Sequence, residues 1–180
     1  MKIIVSPLSH VMDMVARYAP ERIVSLLDPA FAFPETGSAY LGRHLCLHFH
    51  DINGAVDGWI APTAEHVDHL LAFLAAWTKN APLLIHCHAG ISRSPATAFI
   101  AACLHNPSVD ELEIALALRR ASTLVRPNGT LVKLADAAMG RNGRMQNALI
   151  ESGRNLPWIE AFENEPFEMP GVFGSAFEIK

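Results

Sequence analysis

The chain has 180 residues, 51% of them hydrophobic, and a mean hydropathy of +0.21, which suits one domain with a sizeable core. Its net charge of −4 excludes the basic stripe that nucleic-acid binders use to displace counterions. No stretch reaches the ~18 apolar residues of a membrane span, no apolar signal-peptide core follows the N-terminus, and the three cysteines Cys46, Cys87 and Cys103 form no disulfide framework, so a soluble cytoplasmic protein is expected.

Residues 2–5 (KIIV) predict a short strand, and Ser6-Pro7 predicts a helix start running to about Tyr18. Residues 22–27 (RIVSLL) predict a second, largely buried strand. Residues 28–43 hold prolines and glycines without a clear period and predict a long loop. Residues 44–50 (HLCLHFH) alternate strictly, with Leu45, Leu47 and Phe49 on one face, and period two means a strand. Thr63 is a good N-cap for a helix to about Lys79, in which Val67, Leu70, Leu71, Leu74 and Trp77 follow helical spacing. Residues 83–86 (LLIH) predict a short apolar strand.

The remainder reads as helical. Starts are expected near Arg93, at a capping box over Ser108-Val109-Asp110-Glu111, at Asn128 and at Arg144, with Gly140 closing the third of these helices. From Arg154 the chain is rich in proline and glutamate and is expected to lie on the surface or to be partly disordered. Strands alternating with helices imply an α/β fold: a mostly parallel four- to five-stranded sheet flanked by helices. The expected organisation is one domain over residues 1–153 and a tail over 154–180.

One segment carries chemistry. His86-Cys87-His88-Ala89-Gly90-Ile91-Ser92-Arg93-Ser94 follows a buried strand and opens a helix. Open α/β sheets place ligands beyond the carboxyl ends of their strands. A loop there can turn successive backbone N–H groups inward as an anion nest, reinforced by the dipole of the next helix. Gly90 permits the tight turn, and Arg93 supplies a planar fork for two phosphate oxygens. The same positive potential favours the thiolate of a cysteine at Cys87, which is the nucleophilic form. A buried structural thiol would need neither Gly90 nor Arg93.

His-Cys-x5-Arg-Ser resembles the signature of the protein tyrosine phosphatase superfamily, and HCxAGISRS is similar to its compact dual-specificity-like branch, bacterial type. Weaker similarity extends from about His44 to Ala138 and includes Pro127-Asn128. The resemblance implies a phosphate-binding loop between the last strand and a helix. Cys87 would form a phosphocysteine, and the backbone of His88, Ala89, Gly90, Ile91, Ser92 and Arg93 would cradle the phosphate. Arg93 would bind it bidentately, Ser94 would assist the departing thiolate, and His86 would support the loop. No metal or other cofactor is required.

The family also uses an aspartate as general acid and base. Asp51 sits directly after the alternating strand, where the compact enzymes place this group. Asp57 is nearer to Cys87 in sequence, and Asp57-Gly-Trp-Ile-Ala-Pro loosely resembles the acid loop of the tyrosine-specific enzymes. Asp51 is favoured for its strand-end position, with Asp57 as the alternative.

His44, Cys46, His48 and His50 share one strand face, and His66 and His69 follow on the next helix. A zinc set is conceivable, although ligands at spacing two on one strand rarely converge, and core or cleft-edge histidines are expected. The implied activity is hydrolysis of phosphotyrosine, with or without phosphoserine and phosphothreonine, in a protein or small phosphomonoester substrate. Neither nucleic acid nor membrane is an expected partner, and the oligomeric state is not legible. The alternatives are a catalytically weak phosphate-binding module and, behind it, a sulfurtransferase or arsenate-handling enzyme.

Overall fold

A computed structural model describes residues 1–154, 156–157 and 159–174. Five strands form one sheet: β1 (Lys2–Pro7), β2 (Arg22–Leu27), β3 (His44–His48), β4 (Leu83–Cys87) and β5 (Phe167–Pro170), in the order β3-β2-β4-β1-β5. The first four run parallel, and β5 pairs antiparallel with β1. The central strands are buried on both faces, which explains why β1, β2 and β4 read as nearly continuous apolar runs.

Side chains alternate between two cores. Ile3, Val5, Val24, Leu26, Leu83, Ile85 and Cys87 face α2 (Ala64–Ala75), α3 (Arg93–His105), α4 (Glu111–Ala121), α5 (Gly129–Ala138) and α6 (Arg144–Gly153). Ile4, Ile23 and Leu84 face α1 (Val11–Tyr18) and Tyr40. Helix α3 is apolar nearly all round because it lies between the sheet and the outer helices. Among the described residues no helix is long and apolar enough to cross a membrane.

Several boundaries differ from the sequence reading. Pro7 is not itself helical: it is extended (φ −73°, ψ 165°), pairs in register with Cys87 as the last residue of β1, and stands immediately before a 3-10 turn (Leu8–His10) that leads into α1. Proline's fixed φ suits a strand end as well as a first helical turn. Helix α2 stops at Ala75, and Lys79 adopts a positive φ of 65° beyond it. Asp110, not Ser108, caps α4, accepting from the Leu112 N–H at 2.8 Å. Thr63 and Asn128 cap α2 and α5 as expected.

Residues 155, 158 and 175–180 of the expected tail lie outside the described residues. The rest is built into the fold in three places. Asn164 and Met169 are buried, β5 extends the sheet, and Asn106 at the end of α3 hydrogen-bonds Gly171 O and the Phe173 N–H.

Candidate active site

Strands β2 and β4 end side by side, with Leu26 opposite Cys87, and the loop 87–92 leaves the sheet there to enter α3. Cys87 is 2% exposed. Its Sγ accepts from the Gly90 N–H at 3.3 Å and from the Ser94 hydroxyl at 3.1 Å. Of the other two thiols, Cys103 is buried, which pushes its pKa up to about 12, whereas Cys46 is exposed and partial desolvation only raises its pKa.

The direction of the loop amides follows from what holds its carbonyls. Every peptide bond is trans, so each N–H points opposite to the carbonyl of its own peptide plane. His88 O accepts from the Leu8 N–H at 3.0 Å, Ala89 O from the Asn164 N–H at 2.8 Å, and Ile91 O from the Arg126 N–H at 2.7 Å. Gly90 O accepts from Asn164 Nδ2 at 3.3 Å. Four successive carbonyls are thus tied away from Cys87, and the amides of Ala89, Gly90, Ile91 and Ser92 are turned to the opposite side. A run of amides so turned can receive an anion, with the N-terminus of α3 at its end. Gly90 has φ +70°, and a Cβ there would lie 3.0 Å from the Pro7 backbone nitrogen, so the turn needs glycine.

Arg93 is the first residue of α3, 3% exposed. Its Nη1 donates to Asp28 Oδ1 at 2.6 Å and to Phe49 O at 2.8 Å. Its Nε is buried without a hydrogen-bond partner, 3.9 Å from Asp51 Oδ2. One nitrogen therefore orients the guanidinium while Nε stays free for an incoming acceptor.

Asp51 follows β3 and stands at this loop. Its Oδ1 accepts from the Ser92 hydroxyl at 2.7 Å and from Asn128 Nδ2 at 2.8 Å, and its side chain is 35% exposed. Ser92 caps α3 with no side-chain bond because its hydroxyl is turned to Asp51. Asp57 is exposed and makes no hydrogen bond or ion pair among the described residues. The geometry brings Asp51 to Ser92 and Arg93 of this loop, and among the described residues no hydrogen bond or ion pair joins Asp57 to it.

Behind the loop, His86 is fully buried, with Nε2 2.5 Å from Ser25 Oγ, which also lies 2.6 Å from His44 Nε2; His44 Nδ1 in turn lies 3.1 Å from Thr36 Oγ1. Burial holds His86 neutral, with its pKa lowered to about 4, and burial also lowers that of His44. Three of the other histidines considered as ligands are engaged elsewhere. His48 stacks on Phe33, His50 accepts from the Ile60 N–H, and His66 closes the cap of α2. No group of three or more metal-ligating side chains converges among the described residues.

The sequence reading missed three contributors. Asp28 orients Arg93; its only signal was an aspartate directly after a buried strand that neighbours β4. Phe31, from the same loop, lies 4.5 Å from the His88 ring and walls the site. Asn164 comes from the tail and carried no signal.

No protein-family model matches the sequence, and no curated protein is significantly similar to it. Solved structures do match. The human tyrosine phosphatase-like serine/threonine/tyrosine-interacting protein superposes with a TM-score of 0.58 at 16% identity, covering 77% of this chain and 91% of that one. The Cydia pomonella PTP-2 phosphatase gives 0.54 at 22% identity, covering 74% and 83%. PTPMT1 in complex with PI(5)P gives 0.53 at 15% identity, covering 77% and 91%. The chain thus has the fold of the protein tyrosine phosphatases, in the form of their dual-specificity-like branch.

Proposed function

We propose that the chain is a cysteine-dependent protein phosphatase that hydrolyses phosphotyrosine monoesters, and phosphoserine or phosphothreonine where they reach the loop, through a phosphocysteine. The observation that carries this reading is the set of outward-tied carbonyls at His88, Ala89, Gly90 and Ile91, which turns four amides to the side of the Cys87 sulfur, where an anion would sit. A tetrahedral phosphoryl group seated there would present phosphorus to the thiolate while the amides and Arg93 Nε neutralise its equatorial oxygens.

In the first step the Cys87 thiolate forms the S–P bond as the P–O bond to the leaving group breaks, and protonated Asp51 gives its proton to the departing oxygen. In the second, Asp51 carboxylate takes a proton from a water whose oxygen attacks phosphorus, the S–P bond breaks, and inorganic phosphate leaves. The Ser94 hydroxyl, 3.1 Å from Sγ, stabilises the thiolate that returns. His86 supports the loop from behind. The Phe31 and His88 rings form an aromatic flank that suits an aryl phosphate. Arg93 is the one arginine or lysine in the signature segment, which favours monoesters over multiply charged substrates.

The test is turnover of p-nitrophenyl phosphate and of phosphotyrosine and phosphoserine peptides, with chelator and reductant present. Cys87→Ser is expected to abolish it. Asp51→Asn should lower kcat by about 10²–10⁴-fold, the usual worth of general acid–base catalysis, and Asp57→Asn should leave it within a few-fold. A wild type without turnover, whose vanadate binding is lost in Arg93→Ala, would instead make the chain a phosphate-binding module.

A further inference from the structure

Asn164 lies on the segment between α6 and β5, yet it is 5% exposed. Its backbone N–H donates to Ala89 O at 2.8 Å, and its Nδ2 donates to Gly90 O at 3.3 Å. The amide is held in turn by Ser122 at the end of α4: the Ser122 hydroxyl lies 3.1 Å from Asn164 Oδ1 and 3.0 Å from Nδ2. The segment is fastened on either side, by the Ser9 hydroxyl on the Glu163 carboxylate and by β5 on β1.

These two bonds fall on the two peptide planes at the middle of the loop. The plane carrying Ala89 O also carries the Gly90 N–H, which points at Cys87 Sγ. The plane carrying Gly90 O carries the Ile91 N–H. Gly90 makes both planes easy to rotate, because glycine crosses backbone regions closed to other residues. Within the loop, the bond from the Gly90 N–H to Cys87 Sγ restrains only the first of these planes, and a flipped plane would present a carbonyl oxygen to the anion.

We propose that Asn164 is a positioning residue for the phosphate loop: by holding the carbonyls of Ala89 and Gly90 outward, it aims the Gly90 N–H at the nucleophile and the Ile91 N–H at the bound phosphoryl group. The tail thereby completes the active site. This rests on the reading of residues 87–93 as a phosphate site.

The experiment is alkylation of Cys87 by iodoacetamide across pH, with and without inorganic phosphate, in the full chain. Thermal unfolding of each variant is followed in parallel. Asn164→Asp keeps the shape and the backbone bond but sets a carboxylate oxygen against Gly90 O; Asn164→Ala keeps the backbone bond and removes the side-chain bonds to Gly90 and Ser122. Both should weaken phosphate protection, by roughly tenfold for the loss of one buried hydrogen bond, and move the alkylation profile to higher pH, with Asn164→Asp moving it further. Glu165→Ala, an exposed position on the same segment, should change neither. If Asn164→Ala melts below the assay temperature, Asn164→Asp and Asn164→Ser provide the same two readings. Folded Asn164 variants with the wild-type profile and wild-type protection would overturn the inference. Wild-type Cys87 that phosphate does not protect would overturn the phosphate-site reading itself, and the pH profiles would still decide what Asn164 does to the thiol.

Discussion

Buried His86 makes a quantitative prediction about acid stability. Its imidazole is inaccessible, is hydrogen-bonded to Ser25, and has a pKa lowered from 6.5 to about 4, chiefly by burial and further by His44. The folded pKa lies below the unfolded one, so the unfolded chain takes up a proton that the native state refuses. The stabilising contribution is therefore complete above pH 6.5 and is lost as pH falls through the window from 6.5 to 4. One pKa unit corresponds to about 1.4 kcal/mol, so lowering the pH from 6.5 to 5 removes about 2 kcal/mol through His86 alone. That is a large share of the 5–15 kcal/mol typical of a domain. His86→Gln places an uncharged amide near the position of Nε2. The variant should be less stable than wild type at pH 8, because the imidazole fills its site. Between pH 6.5 and 5, however, it should lose about 2 kcal/mol less. Urea unfolding at half-unit pH steps, read by far-UV circular dichroism, measures both slopes. Equal losses over that interval would refute the reasoning, because they would mean that His86 does not carry the proton difference.

Other substitutions test other contacts. Gly90→Ala forces a side chain to φ +70° and sets its Cβ 3.0 Å from the Pro7 nitrogen; left-handed backbone alone costs a non-glycine residue about 1–2 kcal/mol. Phosphate affinity, measured by calorimetry, should drop by at least tenfold. Asp28→Ala removes the carboxylate that orients Arg93 Nη1 at 2.6 Å, a hydrogen bond between charged groups worth about 1.5–3 kcal/mol, so kcat/KM for an aryl phosphate should decline by more than tenfold, while Asp28→Asn retains most of it. Glu111 is buried and bonded to Arg141 at 2.7 Å and Arg144 at 3.1 Å; burial pushes its pKa up, but the hydrogen bonds, chiefly its own backbone N–H and these arginines, pull it below the usual range. Glu111→Ala leaves Arg141 buried without a counter-charge and should cost about 3–5 kcal/mol in urea unfolding, with kcat unchanged in the folded fraction.

What could be read from the chain divides along one physical line. The segment from His86 to Ser94 was legible because everything it needs locally is contiguous: a buried strand, a glycine for the turn, an arginine and a helix start. Asp51 was legible as a strand-end residue, and Asn128 as a helix cap, although that Asn128 also holds Asp51 at 2.8 Å was not. Pro7 was placed inside the helix, one residue too early, because one preferred φ serves both a helix start and a strand end, and only its pairing with Cys87 distinguishes the two. In the tail, polar composition describes the exposed residues and not Asn164 and β5, which anchor it to the fold.

The loop amides show why such omissions are systematic. A sequence motif names the amides that face a phosphate, but an amide's direction is set by whatever holds the carbonyl across the same peptide plane. Those holders, Leu8, Arg126 and Asn164, come from three segments far apart in the chain and share no residue type. Two of them act through backbone N–H groups, which almost any residue can supply, so no pattern in the sequence could mark them. Only Asn164 adds a side-chain bond, and it alone tethers the two planes that flank the flexible Gly90. Chemistry that depends on residue identity is therefore readable from the chain, whereas chemistry that depends on backbone direction has to be built from the fold.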